Sequence, residues 1–365
     1  MKTYPLKSLT IEEATALQFK LVDSITRFFP GNEILTRGDL GVVKGLNQPR
    51  VTEKAERVLA DFFGAESAIL VRGSGTNAIR LALYASVGVN GTLLVHDAAV
   101  YPTTQVSIDM LGIRIIRVNF NRLDLLKEAI LHEELTGVLV QVTRQKIDDS
   151  YDLEEVIKTI RELSDSLPIV TDDNYSAMKT KGIGTQFGGS LACFSTFKLL
   201  GPEGIGCIVG DKNYINKLRE DNYSGGSQVQ GHEALDVLKG MVYAPVSLAI
   251  SSDVSEKLCA RINEGIIPGL EKAFVVNAQS KVVVVKLLEK NAKEIIEAAR
   301  KLGALPHPVG AESKYEFSPL IYRVSGTFIK TDPEAEESMI RINPNRAGVE
   351  TIIRILKEAI NIVKK

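Results

Sequence analysis

The 365-residue sequence predicts an α/β protein, with a large domain on a mostly parallel sheet sandwiched by helices and a smaller C-terminal α+β domain. Three observations predict it. Between Ser67 and Gly210, short apolar runs alternate with amphipathic stretches of helical length. The apolar runs are continuous, as in strands whose two faces are both covered by helices. With 44% hydrophobic residues, the chain is also long enough to bury one large core and one small one.

Taken in order, residues 1–50 carry helical patches broken by the turn signals FFPGNE and RGDLG, and read as an arm over the body. TEKAERVLADFFG (52–64) is an expected helix, with Thr52 as its cap and Gly64 as its stop. SAILVRG (67–73) is a strand, and the helix GSGTNAIRLALYASV follows it. Four further strands are GTLLVHD (91–97), IRIIRV (113–118), GVLVQV (137–142) and PIVTDD (168–173). The first three lead into helices, and the fourth into the glycine-rich loop KTKGIGTQFGG. LACFS (191–195) and GIGCIVG (204–210) add two more strands to the sheet. NYSGGSQVQG (222–231) breaks the rhythm, and a long helical connector from His232 follows. KVVVVKLL, AKEIIEAARKLG, SPLIYRV, SMIRIN and VETIIRILKEAINIVKK then form the smaller unit. The expected organisation is an arm at 1–50, a large domain at 51–260 and a small domain at 261–365. No internal repeat or low-complexity tract interrupts it.

The formal net charge of −1 gives no basic field for nucleic acid or an anionic membrane. Cys193, Cys207 and Cys259 make neither a metal-ligand pattern nor a disulfide framework, which suits a reducing cytoplasm. Cys193 and Cys207 lie in apolar runs and read as core residues. The N-terminus has no apolar signal core, and nowhere do eighteen apolar residues run together, so a soluble cytoplasmic protein is expected.

Candidate chemistry gathers where such sheets bind ligands, at the carboxyl ends of the strands. Lys198, flanked by Phe197, Leu199 and Leu200, reads either as a surface lysine between strands or as a nucleophilic amine. Apolar surroundings disfavour the charged form, which is what a Schiff-base lysine needs. The turn Gly73-Ser74-Gly75-Thr76 opens a helix, and serves either as a plain cap or as an anion cradle of free N–H groups and hydroxyls. Tyr101 is either ordinary packing or an aromatic face for a planar ring. A carboxylate at the mouth of a buried strand needs a partner or a purpose. Asp172 would hold a pyridine nitrogen protonated, whereas Asp173 reads better as a helix cap. Tyr175 lies three residues beyond Asp172, in reach of a phenolate oxygen.

In this order, a glycine-rich turn, a ring-stacking aromatic, an Asp with Tyr three later, and the lysine of FSTFKLLGPEGIGCIVG resemble the fold-type I pyridoxal-5′-phosphate (PLP) enzymes. The lysine segment is similar to the selenocysteine-synthase-like branch. GLNQPRVTEKAERVLADFFGAE followed by SGT is similar to the cystathionine-lyase and class V aminotransferase branches. The resemblance implies that Lys198 links to PLP and carries the α-proton. Asp172 would pair with the ring nitrogen, Tyr101 would stack on the ring, and Ser74, Gly75, Thr76 and Ser195 would hold the phosphate. It further implies that Ser227 reaches the phosphate of a neighbouring subunit in a homodimer, and that Arg341 in MIRIN grips the substrate carboxylate. Arg341 otherwise reads as a surface strand residue. No metal is implied.

One region departs from the family. QVTRQKIDDS replaces an Asn-Pro turn and brings Arg144 and Gln145 to the region that would touch the ring oxygen. They mark either a rebuilt loop or an extra cation suited to an acidic or phosphorylated substrate, and the second reading is preferred. The expected activity is an aminotransferase. A β-eliminating lyase or selenotransferase-like enzyme is the alternative, and a PLP-binding regulatory module without turnover is a third reading.

Overall fold

The protein is described by a computed structural model covering residues 2–143, 148–277, 281–310, 312–324 and 333–364. It divides into two compact units. One comprises Glu13–Thr143 and Ser150–Pro245; the other comprises Met1–Glu12, Arg144–Asp149 and Val246–Lys365.

The first unit holds seven strands: β1 (Ser67–Arg72), β2 (Thr92–His96), β3 (Arg114–Val118), β4 (Gly137–Gln141), β5 (Ile169–Asp172), β6 (Leu191–Ser195) and β7 (Ile205–Gly210). They form one sheet in the order β1-β7-β6-β5-β4-β2-β3. β7 runs antiparallel to both of its neighbours, while β6, β5, β4, β2 and β3 pair in parallel. The mostly parallel sheet is as the sequence predicts. The helices are α1 (Ile11–Phe28), α2 (Arg50–Phe63), α3 (Ser74–Ser86), α4 (Pro102–Met110), α5 (Leu123–His132), α6 (Leu153–Leu163) and α7 (Lys212–Asp221).

Successive strand residues point to opposite faces, and two cores follow from that. On β2, Leu93 and Val95 join Ile79 and Leu83 of α3 and Ile108 of α4 in one core. Leu94 of β2 joins Leu126 of α5 and Val156, Ile157 and Ile160 of α6 in the other. Burying a Leu or Ile of this kind contributes about 1.5–3 kcal/mol. Cys193 and Cys207 are buried and free, as expected for core residues.

Thr52 is not the cap of α2. The helix starts at Arg50, and Thr52 Oγ1 donates to the Val229 carbonyl at 2.7 Å. The capping carboxylate comes from Asp39, which accepts from the backbone N–H groups of Arg50 (2.7 Å) and Val51 (3.0 Å). Gly64 does stop the helix, in the left-handed conformation at φ 67°. Asp173 caps no helix either. It lies in a buried turn, described below.

A 33-residue helix, α8 (Gly231–Asn263), carries Pro245 inside it, and the division into units falls between Pro245 and Val246. By length and composition α8 would reach across a membrane. Its residues Leu235, Leu238, Met241 and Leu248 are instead fully buried in the protein.

The second unit contains β8 (Leu270–Val276), β9 (Val282–Leu287), β10 (Leu320–Arg323) and β11 (Met339–Asn343) in the antiparallel order β10-β11-β9-β8. Helices α9 (Ala292–Lys301) and α10 (Val349–Val363) pack Ile295, Ile352 and Leu356 against Val283, Val285, Ile340 and Ile342. β8 is the strand that the sequence reading did not place.

Candidate active site

Because β1 and β6 both run antiparallel to β7, they share a direction, and β5, β4 and β2 share it too. The carboxyl ends of these strands therefore lie along one edge. They deliver Arg72, Ser195, Asp172, Gln141 and His96 there.

Lys198 sits in the short 3₁₀ turn Thr196–Leu199 that follows β6. Its sequence neighbours are apolar, but the Nζ reaches past them to a polar and aromatic setting. It donates to Asn174 Oδ1 at 3.4 Å and stands 4.4 Å from the centroid of the Tyr175 ring. Asp172, at the end of β5, is buried, and its Oδ1 accepts from the backbone N–H (3.1 Å) and the side-chain Nδ2 (2.8 Å) of Asn174. Burial pushes its carboxyl above the usual range, while the Asn174 hydrogen bonds and the Lys198 charge pull it down.

Asp173, the first residue after β5, makes a different set of contacts. Its carboxyl accepts from Thr171 Oγ1, Ser176 Oγ and the Gly184 N–H. Burial raises it to about 7. The two adjacent aspartates thus separate into one linked to the lysine through Asn174 and one locked in a polar cage.

The glycine-rich turn lies beside this group. Gly73 and Ser74 adopt left-handed conformations, φ 94° and 61°, and their N–H groups both donate to the Gly204 carbonyl at 2.8 and 3.0 Å. Ser74 Oγ and Ser195 Oγ are 2.7 Å apart. Gly75 presses against the Asn174 amide, where an added Cβ would stand 2.6 Å from Oδ1 and 2.7 Å from Nδ2. Thr76 Oγ1 lies 3.2 Å from Thr103 Oγ1, so the starts of α3 and α4 adjoin. First-turn N–H groups have no partner within a helix, and both starts carry the positive end of the helix dipole.

Tyr101 immediately precedes α4 and is 51% exposed. Ser227 bonds locally to Asn222 and to the Ser224 carbonyl. Its neighbour Gln228 accepts from Arg72 Nε at 3.2 Å.

Arg341 belongs to the other unit, on β11, and is buried rather than on the surface. Its guanidinium lies 4.7 Å from the Tyr322 ring centroid, and its Nε finds no hydrogen-bond partner among the described residues. Arg144 and Gln145 lie outside the described residues.

Asn174, which directly follows PIVTDD, was not singled out from the sequence. An Asn two residues beyond a carboxylate can fold back onto it as an Asx turn, and that was the available signal.

Residues 42–237 match the aminotransferase class-V family, and residues 256–356 match the C-terminal domain of YhfS-like proteins. The chain belongs to the class-V aminotransferase family of PLP enzymes and has the fold-type I architecture. Over 360 residues it is 53% identical to the uncharacterized protein YhfS of Escherichia coli K12, with 99% of each chain covered. The crystal structure of Escherichia coli YhfS, described as pyridoxal-5′-phosphate dependent, matches at a TM-score of 0.97, covering 99% of this chain and 100% of that one. Two more distant structures share the fold. One is the cystathionine gamma lyase CalE6 of Micromonospora echinospora, at TM-score 0.72 and 16% identity, with 94% and 99% of the chains covered. The other is a carbon-sulfur lyase involved in aluminum resistance from Clostridium novyi, at TM-score 0.69 and 17% identity, with 97% and 91% covered.

The residues fit the cofactor. PLP presents an aldehyde, a ring nitrogen, a phenolic oxygen and a phosphate. The site offers one amine, a buried carboxylate whose Oδ1 is already satisfied by Asn174, a phenol, and paired serine hydroxyls at a helix start.

Proposed function

We propose that this PLP-dependent enzyme is an aminotransferase acting at the α-carbon of an amino acid. The class-V family match supports the aminotransferase reading, and one observation carries the cofactor site: Lys198 Nζ and the Asp172 carboxylate are joined through one side chain, Asn174. That is the pairing needed when an amine must hold the cofactor while a carboxylate keeps its ring nitrogen protonated.

In this reading Ser74, Gly75, Thr76 and Ser195 bind the phosphate, Tyr101 covers the ring and Tyr175 donates to its phenolic oxygen. Bound there, PLP supplies an electron sink for the pair released when a bond to the α-carbon breaks. Lys198 Nζ would take the proton from the α-carbon and deliver it to the cofactor's aldehyde-derived carbon, and Asp172 would hold the proton at the ring nitrogen. Arg341 orients the substrate through its α-carboxylate, and Arg144 meets a distal acidic or phosphate group. Ser227 serves the phosphate of a second copy, so the working form is a homodimer. The free thiols of Cys193, Cys207 and Cys259 fit a reducing cytoplasm.

Borohydride reduction followed by peptide mapping tests the anchor, and a pyridoxyl group on any lysine but Lys198 would overturn it. An absorbance screen against amino acids tests the reaction. Appearance of the pyridoxamine form with release of a 2-oxo acid supports transamination. A 2-oxo acid plus ammonia, with no such spectral change, assigns elimination instead.

A further inference from the structure

The side chain and backbone N–H of Asn174 make four hydrogen bonds to Asp172, Ser195 and Lys198. Its Oδ1 accepts from the backbone N–H of Ser195 at 3.0 Å and from Lys198 Nζ at 3.4 Å. Its Nδ2 and its backbone N–H both donate to Asp172 Oδ1. The partners fix which way the amide faces, because flipping it would set an NH₂ against two donors and an oxygen against a carboxylate. The wall formed by Gly75 blocks movement on another side, as the clash of an added Cβ there shows. One amide is thereby held by the end of β5, the end of β6, the lysine turn and the start of α3.

We propose that Asn174 is a positioning residue for the cofactor. It fixes the Asp172 carboxylate through Oδ1, so that Oδ2 remains for the ring nitrogen, and it holds Lys198 Nζ in register with that carboxylate. The inference rests on the reading of Lys198 and Asp172 as the cofactor anchors. It adds a residue that links the two.

The test compares PLP binding and the visible band of the lysine-bound cofactor in wild type, Asn174→Ala and Asn174→Asp across pH. Asn174→Ala loses both the acceptor and the donor, and PLP should bind about tenfold to hundredfold more weakly at every pH. Asn174→Asp behaves differently. At low pH the introduced carboxyl is protonated and still donates to Asp172, so binding stays near wild type. As pH rises it ionises against Asp172, and the dissociation constant relative to wild type climbs. A residue that only filled space would not give that pH-dependent split. Wild-type binding in both variants, or an equal, pH-independent loss in both, would overturn the inference. If Asn174→Ala fails to fold by circular dichroism, the pH ratio of Asn174→Asp decides alone. Borohydride trapping in wild type separates the two levels. A label away from Lys198 sinks the site reading itself, while a label on Lys198 with unaffected variants sinks the role of Asn174 only.

Discussion

Lys198 Nζ stands 4.4 Å from the centroid of the Tyr175 ring, so the amine of the site rests on an aromatic face as well as on an amide oxygen. Tyr175 holds that position at φ 67°, a backbone conformation that non-glycine residues adopt rarely. Tyr175→Leu removes the ring and should weaken PLP binding by the worth of a cation–π contact, about 0.5–2 kcal/mol. Tyr175→Phe keeps the ring and should retain the trapped label on Lys198, changing only the pH midpoint of the cofactor band. Matching losses in the two variants, measured by absorbance titration, would assign the role to the hydroxyl alone.

Gly75 is the residue whose side of the turn touches the Asn174 amide. Gly75→Ala puts a methyl group within 2.7 Å of it, so the amide must shift and the Asp172 and Lys198 contacts with it. The expected result is a folded protein with weakened PLP binding, checked by circular dichroism beside equilibrium dialysis. Unchanged binding would show that the turn yields freely.

Asp173 makes stability depend on pH. Its carboxyl rises from 3.8 when unfolded to about 7 when folded, so the folded state binds the proton more tightly. The stabilisation from this group is fully present below about pH 4 and is lost as pH climbs through about 7, at most about 4 kcal/mol. Asp173→Asn keeps an acceptor for Ser176 and Gly184 and offers Thr171 a donor. It should flatten the fall in unfolding free energy across that window and exceed wild type above about pH 8. An unaltered slope in urea unfolding would refute the assignment.

Substitution at Arg341 tests substrate binding apart from cofactor binding. Its buried guanidinium has a free Nε among the described residues and packs over Tyr322. Arg341→Ala should leave the cofactor band intact and raise KM about tenfold to hundredfold, the worth of a charge-assisted contact of about 1.5–3 kcal/mol. A bleached band would place Arg341 with the cofactor. Arg144→Ala should spare small neutral amino acids and penalise acidic or phosphorylated ones. Equal losses on both classes would make Arg144 structural or cofactor-facing.

What the sequence made legible was local. Strands β1 to β7 announce themselves as apolar runs, and Lys198, Asp172 and the Ser74 turn each follow one of them. Asp172 was singled out through the family resemblance of its strand end, whereas Asp173, read as a helix cap, lies instead among Thr171, Ser176 and Gly184. Asn174 was legible only as a turn on Asp172; its bonds to Ser195 and Lys198 cross 21 and 24 residues, which no periodicity spans. The same holds for Asp39, which caps α2 from a loop. β8 escaped notice because Glu271 and Lys272 interrupt its apolar run with exposed charges.

β7 comes last of the seven strands in the chain, yet it lies between β1, the first, and β6. The residue just before it, Gly204, holds the N–H groups of Gly73 and Ser74, and Gly206 within it lies against the Ser74 carbonyl. A growing chain that has not yet supplied β7 therefore has its lysine turn's neighbours incomplete and two strand edges bare, a state prone to mispairing. Cofactor capture is therefore expected to follow the insertion of β7 between β1 and β6. In refolding, the coloured form should emerge only after helix content has recovered, and stopped-flow absorbance run against circular dichroism would expose any earlier capture.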